Sequence, residues 1–211
     1  MENFLALDTS GGYLTVVAAK NGKIYSHYLP DCAMKQSVLV MGAIDETLKQ
    51  ADMELSECDF FAAVVGAGSF TGIRIGISVI KGFCLAYGKP ALPVTSFDVA
   101  AYNAIDEANK GKKLCLVDAL HDHYYACGYE NGNVAYPPAY LPEEEVLALA
   151  ADGYELCACD RLPLQEKAEV KVGSPEQGLV GATLANAKAK KFGELTALYV
   201  RKSSAEINQG K

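Results

Sequence analysis

A glycine-rich stretch follows an apolar run in the first half of the chain and could hold a phosphate group. It reads VVGAGSFTGIRIGI from Val64 to Ile77, and its pattern predicts a buried strand that turns into a helix. Backbone N–H groups at such a helix start attract anions. A P-loop requires a lysine directly after its last glycine, which Gly72 does not have. The G-x-G-x-x-G spacing of dinucleotide-binding folds also fails, because Gly72 lies one residue too far from Gly68.

Side chains that could bind a metal or act as a nucleophile are few. His121 and His123 are one residue apart and could share a metal, but a zinc site needs three or four ligands. The remaining histidine, His27, falls in a predicted hairpin, so we predict a solvated loop at His121 and no metal site. Ser69 lies in the sequence G-S-F and not in the G-x-S-x-G turn that exposes a catalytic serine.

The helix predicted after the glycine-rich stretch carries two apolar stripes. Ile73, Ile77 and Ile80 belong to one stripe, and Gly72 and Gly76 place small residues on the other. A glycine inside a helix costs about 1 kcal/mol relative to alanine, so two on one face predict the close approach of another backbone, from this chain or a second one. Two apolar stripes exceed what one sheet face can cover, which favours a protein–protein interface.

The elements that position these residues occur twice along the chain. Three strands, two of them joined by a hairpin at Asn21-Gly22, precede a helix, a buried strand and the glycine-containing helix. After the polar stretch Asn109 to Lys113, a strand, a hairpin at Asn131-Gly132, a helix, a strand and a helix follow. The pattern therefore predicts an α/β protein with two βββαβα-type lobes, residues 1–106 and a smaller lobe of residues 107–211. We expect the last segment to pack back on the first lobe.

Composition restricts the compartment and the partners. The 26 acidic residues outnumber the 19 basic ones, and the net charge of −7 predicts that any nucleic acid is held mainly by a partner. Seven cysteines without a C-x-x-C pair are typical of small buried side chains in a reducing compartment. The first residues do not resemble an export signal, and no run approaches the ~18 to 20 uninterrupted apolar residues of a membrane span. We expect a cytoplasmic protein that does not enter a membrane.

Four stretches together resemble the TsaB (YeaZ) family of bacterial tRNA threonylcarbamoyladenosine synthesis. They are LALDTS (Leu5–Ser10), QSVLVMGAID (Gln36–Asp45), VVGAGSFTGIRIGI (Val64–Ile77) and LYVRKSSAE (Leu198–Glu206). The resemblance implies a duplicated actin-like fold, the fold of sugar kinases and heat-shock ATPases. This chain has Gln36 and Ala67 where the family often has histidine and proline.

The resemblance also implies a function. A TsaB-type chain is a non-catalytic partner that pairs with its paralogue TsaD, which transfers the threonylcarbamoyl group to the adenosine beside the tRNA anticodon. The ATPase TsaE joins the pair, tRNA is contacted only indirectly, and a homodimer is expected when the chain is alone. No cofactor is expected to bind tightly, although ATP or ADP could lie at the junction of the complex. The implied docking surface lies on two helices and comprises Gln36, Leu39, Val40, Ala43, Thr71, Gly72, Ile75, Gly76, Val79 and Phe83.

Two other functions stay open from the sequence. In ATPases of the implied fold, an acidic residue after the first strand organises a metal and a phosphate, and Asp8 has this position. An independent ATP-hydrolysing enzyme is therefore an alternative, with a weak nucleotide contact at Asp8, Thr9, Ser10, Gly68 and Ser69. A metallopeptidase is the least favoured, because the chain has neither a recognisable ligand set nor a general base.

Overall fold

The fold is described by a computed structural model that covers residues 2–104 and 111–201. The first lobe contains β1 Phe4–Asp8, β2 Leu14–Lys20, β3 Lys23–Leu29, α1 Gln36–Ala51, β4 Phe60–Val64, α2 Phe70–Tyr87, β5 Ala91–Val94 and α3 Ser96–Ala104. The second contains β6 Lys112–Asp118, β7 His123–Glu130, β8 Asn133–Pro142, α4 Glu143–Ala151, β9 Glu155–Ala158, β10 Val170–Val172 and α5 Pro175–Lys188. The predicted lobe boundary between residues 106 and 107 lies outside the described residues.

The two lobes share one strand plan. Their five-stranded sheets have the orders β3-β2-β1-β4-β5 and β10-β9-β6-β7-β8. In each, the first strand pairs antiparallel with the next one and parallel with the fourth, as β1 does with β2 and β4. A short 3-10 turn at Pro163–Glu166 stands between β9 and β10, in the place that α2 has between β4 and β5. The predicted α/β class and duplicated actin-like plan are confirmed.

Both predicted hairpins form where the sequence places Asn-Gly. Asn21 and Gly22 have φ of 51° and 81°, and Asn131 and Gly132 have φ of 51° and 78°. These positive angles are those of a two-residue type I′ turn, which Asn-Gly adopts at little cost. Lys20 therefore pairs with Lys23, and the register of β2 on β3 is fixed by the turn.

Each sheet is completed by a helix from the other half of the chain. Helices α1 and α2 pack on one face of the first sheet, and α5 packs on its opposite face through Leu179 and Ala182. Helix α3 packs on the second sheet through Phe97 and Ala100. Helices α3 and α5 also contact each other, and Gly178 allows this because a Cβ there would overlap the Val99 carbonyl.

The segment Thr196–Arg201 near the carboxyl end forms no strand, and its Leu198 N–H donates to the Val65 carbonyl of the first lobe at 2.7 Å. Strand β10 was not predicted, because three residues with one buried side chain leave no readable pattern.

Helix α2 has an unusual composition for a helix of this length. Within residues 2–104 and 111–201 it is the one helix that is long and apolar enough to cross a membrane by length and composition alone. A single such helix is weak evidence, since core helices of soluble proteins satisfy the same test. Here α2 packs on the first sheet through Ile73, Ile77 and Ile80.

Candidate functional site

A large cleft between the two lobes is the candidate site. Its volume is about 1170 Å³, and residues of both lobes line it. The lining residues follow the carboxyl ends of the parallel strands β1, β4, β6 and β9, where α/β folds commonly bind ligands. Three of the five predicted nucleotide contacts, Ser10, Gly68 and Ser69, line this cleft.

Asp8 lies below the cleft and is fully buried. Its Oδ1 accepts hydrogen bonds from the backbone N–H and the hydroxyl of Ser10, at 2.8 and 2.7 Å, and its Oδ2 accepts one from the Tyr13 hydroxyl at 3.1 Å. Burial raises the pKa of Asp8, although the hydrogen bonds from Ser10 and Tyr13 oppose that rise. A carboxylate held in this way is not presented to a ligand in the cleft.

A proton on Asp8 would complete the hydrogen bonds of the cleft floor. The Ser96 hydroxyl donates to the Ala67 carbonyl at 2.5 Å, and its Oγ lies 3.1 Å from Ser10 Oγ. If Ser10 donates to an ionised Asp8, neither hydroxyl has a proton left for the contact between them, because each carries one. If Asp8 is protonated, it donates to Ser10 and Ser10 donates to Ser96. The geometry therefore agrees with the raised pKa of Asp8.

Thr9 is buried beside Asp8 and contacts both glycines that the sequence singled out. Its hydroxyl donates to the Gly72 carbonyl at 2.7 Å. A Cβ on Gly72 would overlap the Thr9 carbonyl, and one on Gly76 would lie 2.6 Å from Thr9 Oγ1. The sequence indicated a close backbone approach to these glycines and left open whether it comes from this chain or a second one. The approaching segment is the loop after β1 of this chain.

The ten predicted docking residues fall into two groups. Five are buried inside the chain: Gln36, Val40, Ala43, Gly72 and Gly76. Gln36 Nε2 donates to the Gly11 carbonyl at 3.1 Å, which accounts for its burial. Because these five are buried in this conformation, their part in docking stays a prediction. Of the others, Thr71 is exposed, and Leu39, Ile75, Val79 and Phe83 are half-buried; their role in docking stays a prediction.

Sequence reasoning missed the most exposed apolar side chains of the same two helices. Val38 and Leu85 are 82% and 88% exposed, and Met41 is 48% exposed. Gly42 and Gly82 lie beside them on α1 and α2, and a Cβ on either would meet nothing within 4 Å. We call these five residues the outer helix face. The buried stripe of each helix could have revealed it, since the face lies opposite the residues at core spacing.

All three arginines of the chain line the cleft. Arg74 donates from Nε to the Tyr199 hydroxyl at 2.9 Å, and its guanidinium carbon lies 3.8 Å from the centre of the Phe70 ring. Arg201 donates from Nη1 to the Tyr140 hydroxyl at 2.9 Å. The acidic residues Asp118 and Asp160 line the cleft on the side of the second lobe.

Comparison with known proteins assigns the family. The model of the TsaD family, described as tRNA N6-adenosine threonylcarbamoyltransferase, matches residues 19–202. The chain belongs to the TsaD family. Among curated relatives of this TsaD-family chain, the tRNA threonylcarbamoyladenosine biosynthesis protein TsaB of Buchnera aphidicola is 28% identical over 129 residues, 61% of each chain. The TsaB of Escherichia coli is 27% identical over 131 residues, 61% of this chain and 56% of the relative. The chain thus spans about three fifths of the curated relatives that it matches.

Solved structures extend the match over almost the whole TsaD-family chain. YeaZ from Pseudomonas aeruginosa superposes with a TM-score of 0.79 at 25% identity, covering 94% of this chain and 100% of that one. The predicted resemblance to TsaB (YeaZ) is confirmed. The polyphosphate/ATP-glucomannokinase of Arthrobacter sp. strain KM, at 12% identity and a TM-score of 0.51, shows the sugar-kinase fold.

Groups that could act as nucleophiles or metal ligands are poorly placed in this TsaD-family chain. Among the described residues, no three His, Cys, Asp or Glu side chains are arranged to hold a metal ion. His121 is exposed at the cleft, and His123 stacks on Tyr140 with ring centres 4.7 Å apart. Cys159 also lines the cleft, but burial raises the pKa of its thiol far above the usual range. A thiol in that state is a poor nucleophile.

Proposed function

We propose that this chain takes part in threonylcarbamoyladenosine synthesis as a non-catalytic subunit that pairs with a TsaD-type paralogue through the outer helix face. The observation that carries the proposal is the exposure of Val38 and Leu85 on two neighbouring helices of one sheet. The names of the TsaB relatives supply the pathway. The paralogue is the expected partner because the family model describes the transferase itself.

The outer helix face has the physical character of an interface. Burying a Val, Leu or Met side chain contributes about 1.5–3 kcal/mol, so Val38, Met41 and Leu85 together could anchor a stable contact. Gly42 and Gly82 weaken isolated helices by about 1 kcal/mol each, and no contact within the described residues requires them. Small residues with open space above them let another helix approach closely. Half-buried side chains between the helices, such as Val79 and Phe83, would extend the contact.

The environment of Asp8 supports a non-catalytic role. Its carboxyl group is buried and accepts hydrogen bonds from Ser10 and Tyr13. The Thr9 hydroxyl donates to the Gly72 carbonyl. The alternative of an independent ATP-hydrolysing enzyme needs this carboxylate at the cleft and is therefore less well supported. A nucleotide at the junction, recruitment of a TsaE-type ATPase and a cytoplasmic location belong to the same proposal.

Size-exclusion chromatography with light scattering tests the pairing. The wild-type chain should form a homodimer alone and a one-to-one complex with its TsaD-type paralogue. Val38→Asp and Leu85→Asp should abolish both, since a carboxylate would be buried at the contact. Val134→Asp is the matched control, because Val134 is an equally apolar side chain on β8 and is 58% exposed. The proposal would be excluded if the wild-type chain does not bind the paralogue, or if the Asp variants still pair with it.

A further inference from the structure

The arginines of the chain are few and lie together, unlike the lysines. Of 19 lysines and arginines, only three are arginines, and all three, Arg74, Arg161 and Arg201, line the inter-lobe cleft. They come from α2, from the loop after β9 and from the extended segment near residue 200, so separate elements converge on one space. The chain as a whole has a net charge of −7. Three arginines against the two acids Asp118 and Asp160 give the cleft lining a small positive balance within an acidic protein.

The guanidinium groups of Arg74 and Arg201 are held in place by rings and hydroxyls, not by acids. Within the described residues, no carboxylate lies within 4.0 Å of any of the three arginines. Arg74 is fixed over Phe70 by its bond to Tyr199, and Arg201 lies with its guanidinium carbon 4.8 Å from the centre of the Tyr140 ring. Such stacking orients the plane of an arginine and leaves donor groups for a bidentate acceptor, which favours phosphate.

Aromatic rings accompany the arginines: Phe70, Tyr125 and Tyr199 line the cleft, and Tyr140 contacts Arg201. Phe70 and Tyr199 stack with ring centres 4.7 Å apart, and Tyr199 is 41% exposed. Tyr140 stacks with His123 and lies 5.9 Å from Tyr125. Unpaired bases of RNA stack on such rings, whereas the carboxylates of an acidic peptide are bound by positive charge and do not require rings. The cleft volume of about 1170 Å³ is also at the upper limit of pockets for small ligands, which is roughly 1000 Å³.

We propose that this cleft binds a single-stranded segment of RNA, with Arg74, Arg161 and Arg201 contacting backbone phosphates and Tyr199 offering a ring to a base. The inference rests on the proposed function only for the choice of tRNA as the RNA. This direct contact departs from the indirect one that the resemblance implies. It adds to binding by a partner, because a cleft with three arginines in an acidic chain cannot supply the whole affinity.

Fluorescence anisotropy with an unmodified tRNA transcript tests the site. The wild-type chain is measured alone and in complex with the paralogue, beside Arg74→Gln, Arg201→Gln and the double variant. We expect about tenfold weaker binding in the double variant, and a salt dependence that is less steep by about 0.7 for each phosphate that an arginine no longer neutralises. Arg74→Lys should retain part of the binding, because lysine keeps the charge but not the bidentate geometry.

Lys23→Gln is the matched control, since it removes an exposed positive charge on β3, away from the cleft. Unchanged tRNA affinity in the double arginine variant overturns the inference, as does binding of polyglutamate or ATP by a chain that does not bind tRNA. Melting curves establish that each variant is folded. Light scattering on the same samples separates the RNA-binding proposal from the pairing proposal. If the arginine variants pair with the paralogue normally and bind tRNA like wild type, only the RNA-binding proposal is rejected.

Discussion

Thr9 contacts Gly72 so closely that there is no room for a side chain at position 72. The Thr9 hydroxyl donates to the Gly72 carbonyl at 2.7 Å, and a Cβ at position 72 would overlap the Thr9 carbonyl. Helix α2 can therefore approach the loop after β1 only where its residues lack a side chain. The contact ties the first turn of α2 to the strand end that carries Asp8.

Alanine substitutions of Gly76 and Gly82 in α2 should change the stability of the chain in opposite directions. Gly76→Ala places a methyl group 2.6 Å from Thr9 Oγ1, and we expect a loss of about 1–3 kcal/mol in the free energy of unfolding. Gly82→Ala, on the open side, should raise stability by about 1 kcal/mol through helix propensity. Urea denaturation of the isolated chain measures both. Equal effects at the two positions would contradict the packing against Thr9.

Neutralising Asp8 should stabilise the protein more at neutral than at acid pH. Burial raises the pKa of Asp8 in the folded state above its ordinary value of 3.8, so the folded chain binds this proton more tightly than the unfolded chain. Stability from this group is then fully present below pH 3.8 and is lost as pH rises through the folded-state pKa. Asp8→Asn does not titrate and so does not lose this stability. The difference in free energy of unfolding between the variant and wild type should therefore grow from about pH 4 to about pH 7.

Urea midpoints at both pH values measure this effect, with Asp45→Asn as the control because Asp45 is exposed on α1. The control should show no such growth. If Asp8→Asn is instead more harmful at neutral pH, the fold requires the carboxylate, and the proton network of Asp8, Ser10 and Ser96 is wrong.

The buried cysteines should resist alkylation until the chain unfolds. Burial raises the pKa of Cys58 to about 12 and that of Cys127 to about 11, so their thiolate fraction at neutral pH is very small. Cys84 is only half-buried and should react first. Timed labelling with iodoacetamide, read by peptide mass spectrometry, gives the order. Fast labelling of Cys58 in the native chain would show that the first lobe opens readily.

The fold was more predictable than the site, for a physical reason. Strand and helix patterns are local, and the Asn-Gly turns and the buried run ending at Val64 identified their elements directly. Contacts between distant segments are not local. The sequence showed that Gly72 and Gly76 require a close neighbour, but Thr9 is 63 residues from Gly72 along the chain. Nor could the sequence show that Arg74 and Arg201 face one space, because the two arginines approach from separate elements.

The exchange of helices between the lobes has a consequence for how the protein can be divided. Helix α5 shields the first sheet and α3 shields the second, so a cut in the connection between the halves would leave each fragment with an uncovered apolar sheet face. Neither fragment should fold alone, whereas the two together can complement each other. The strand plan is duplicated, but we expect the two lobes to unfold as a single cooperative unit.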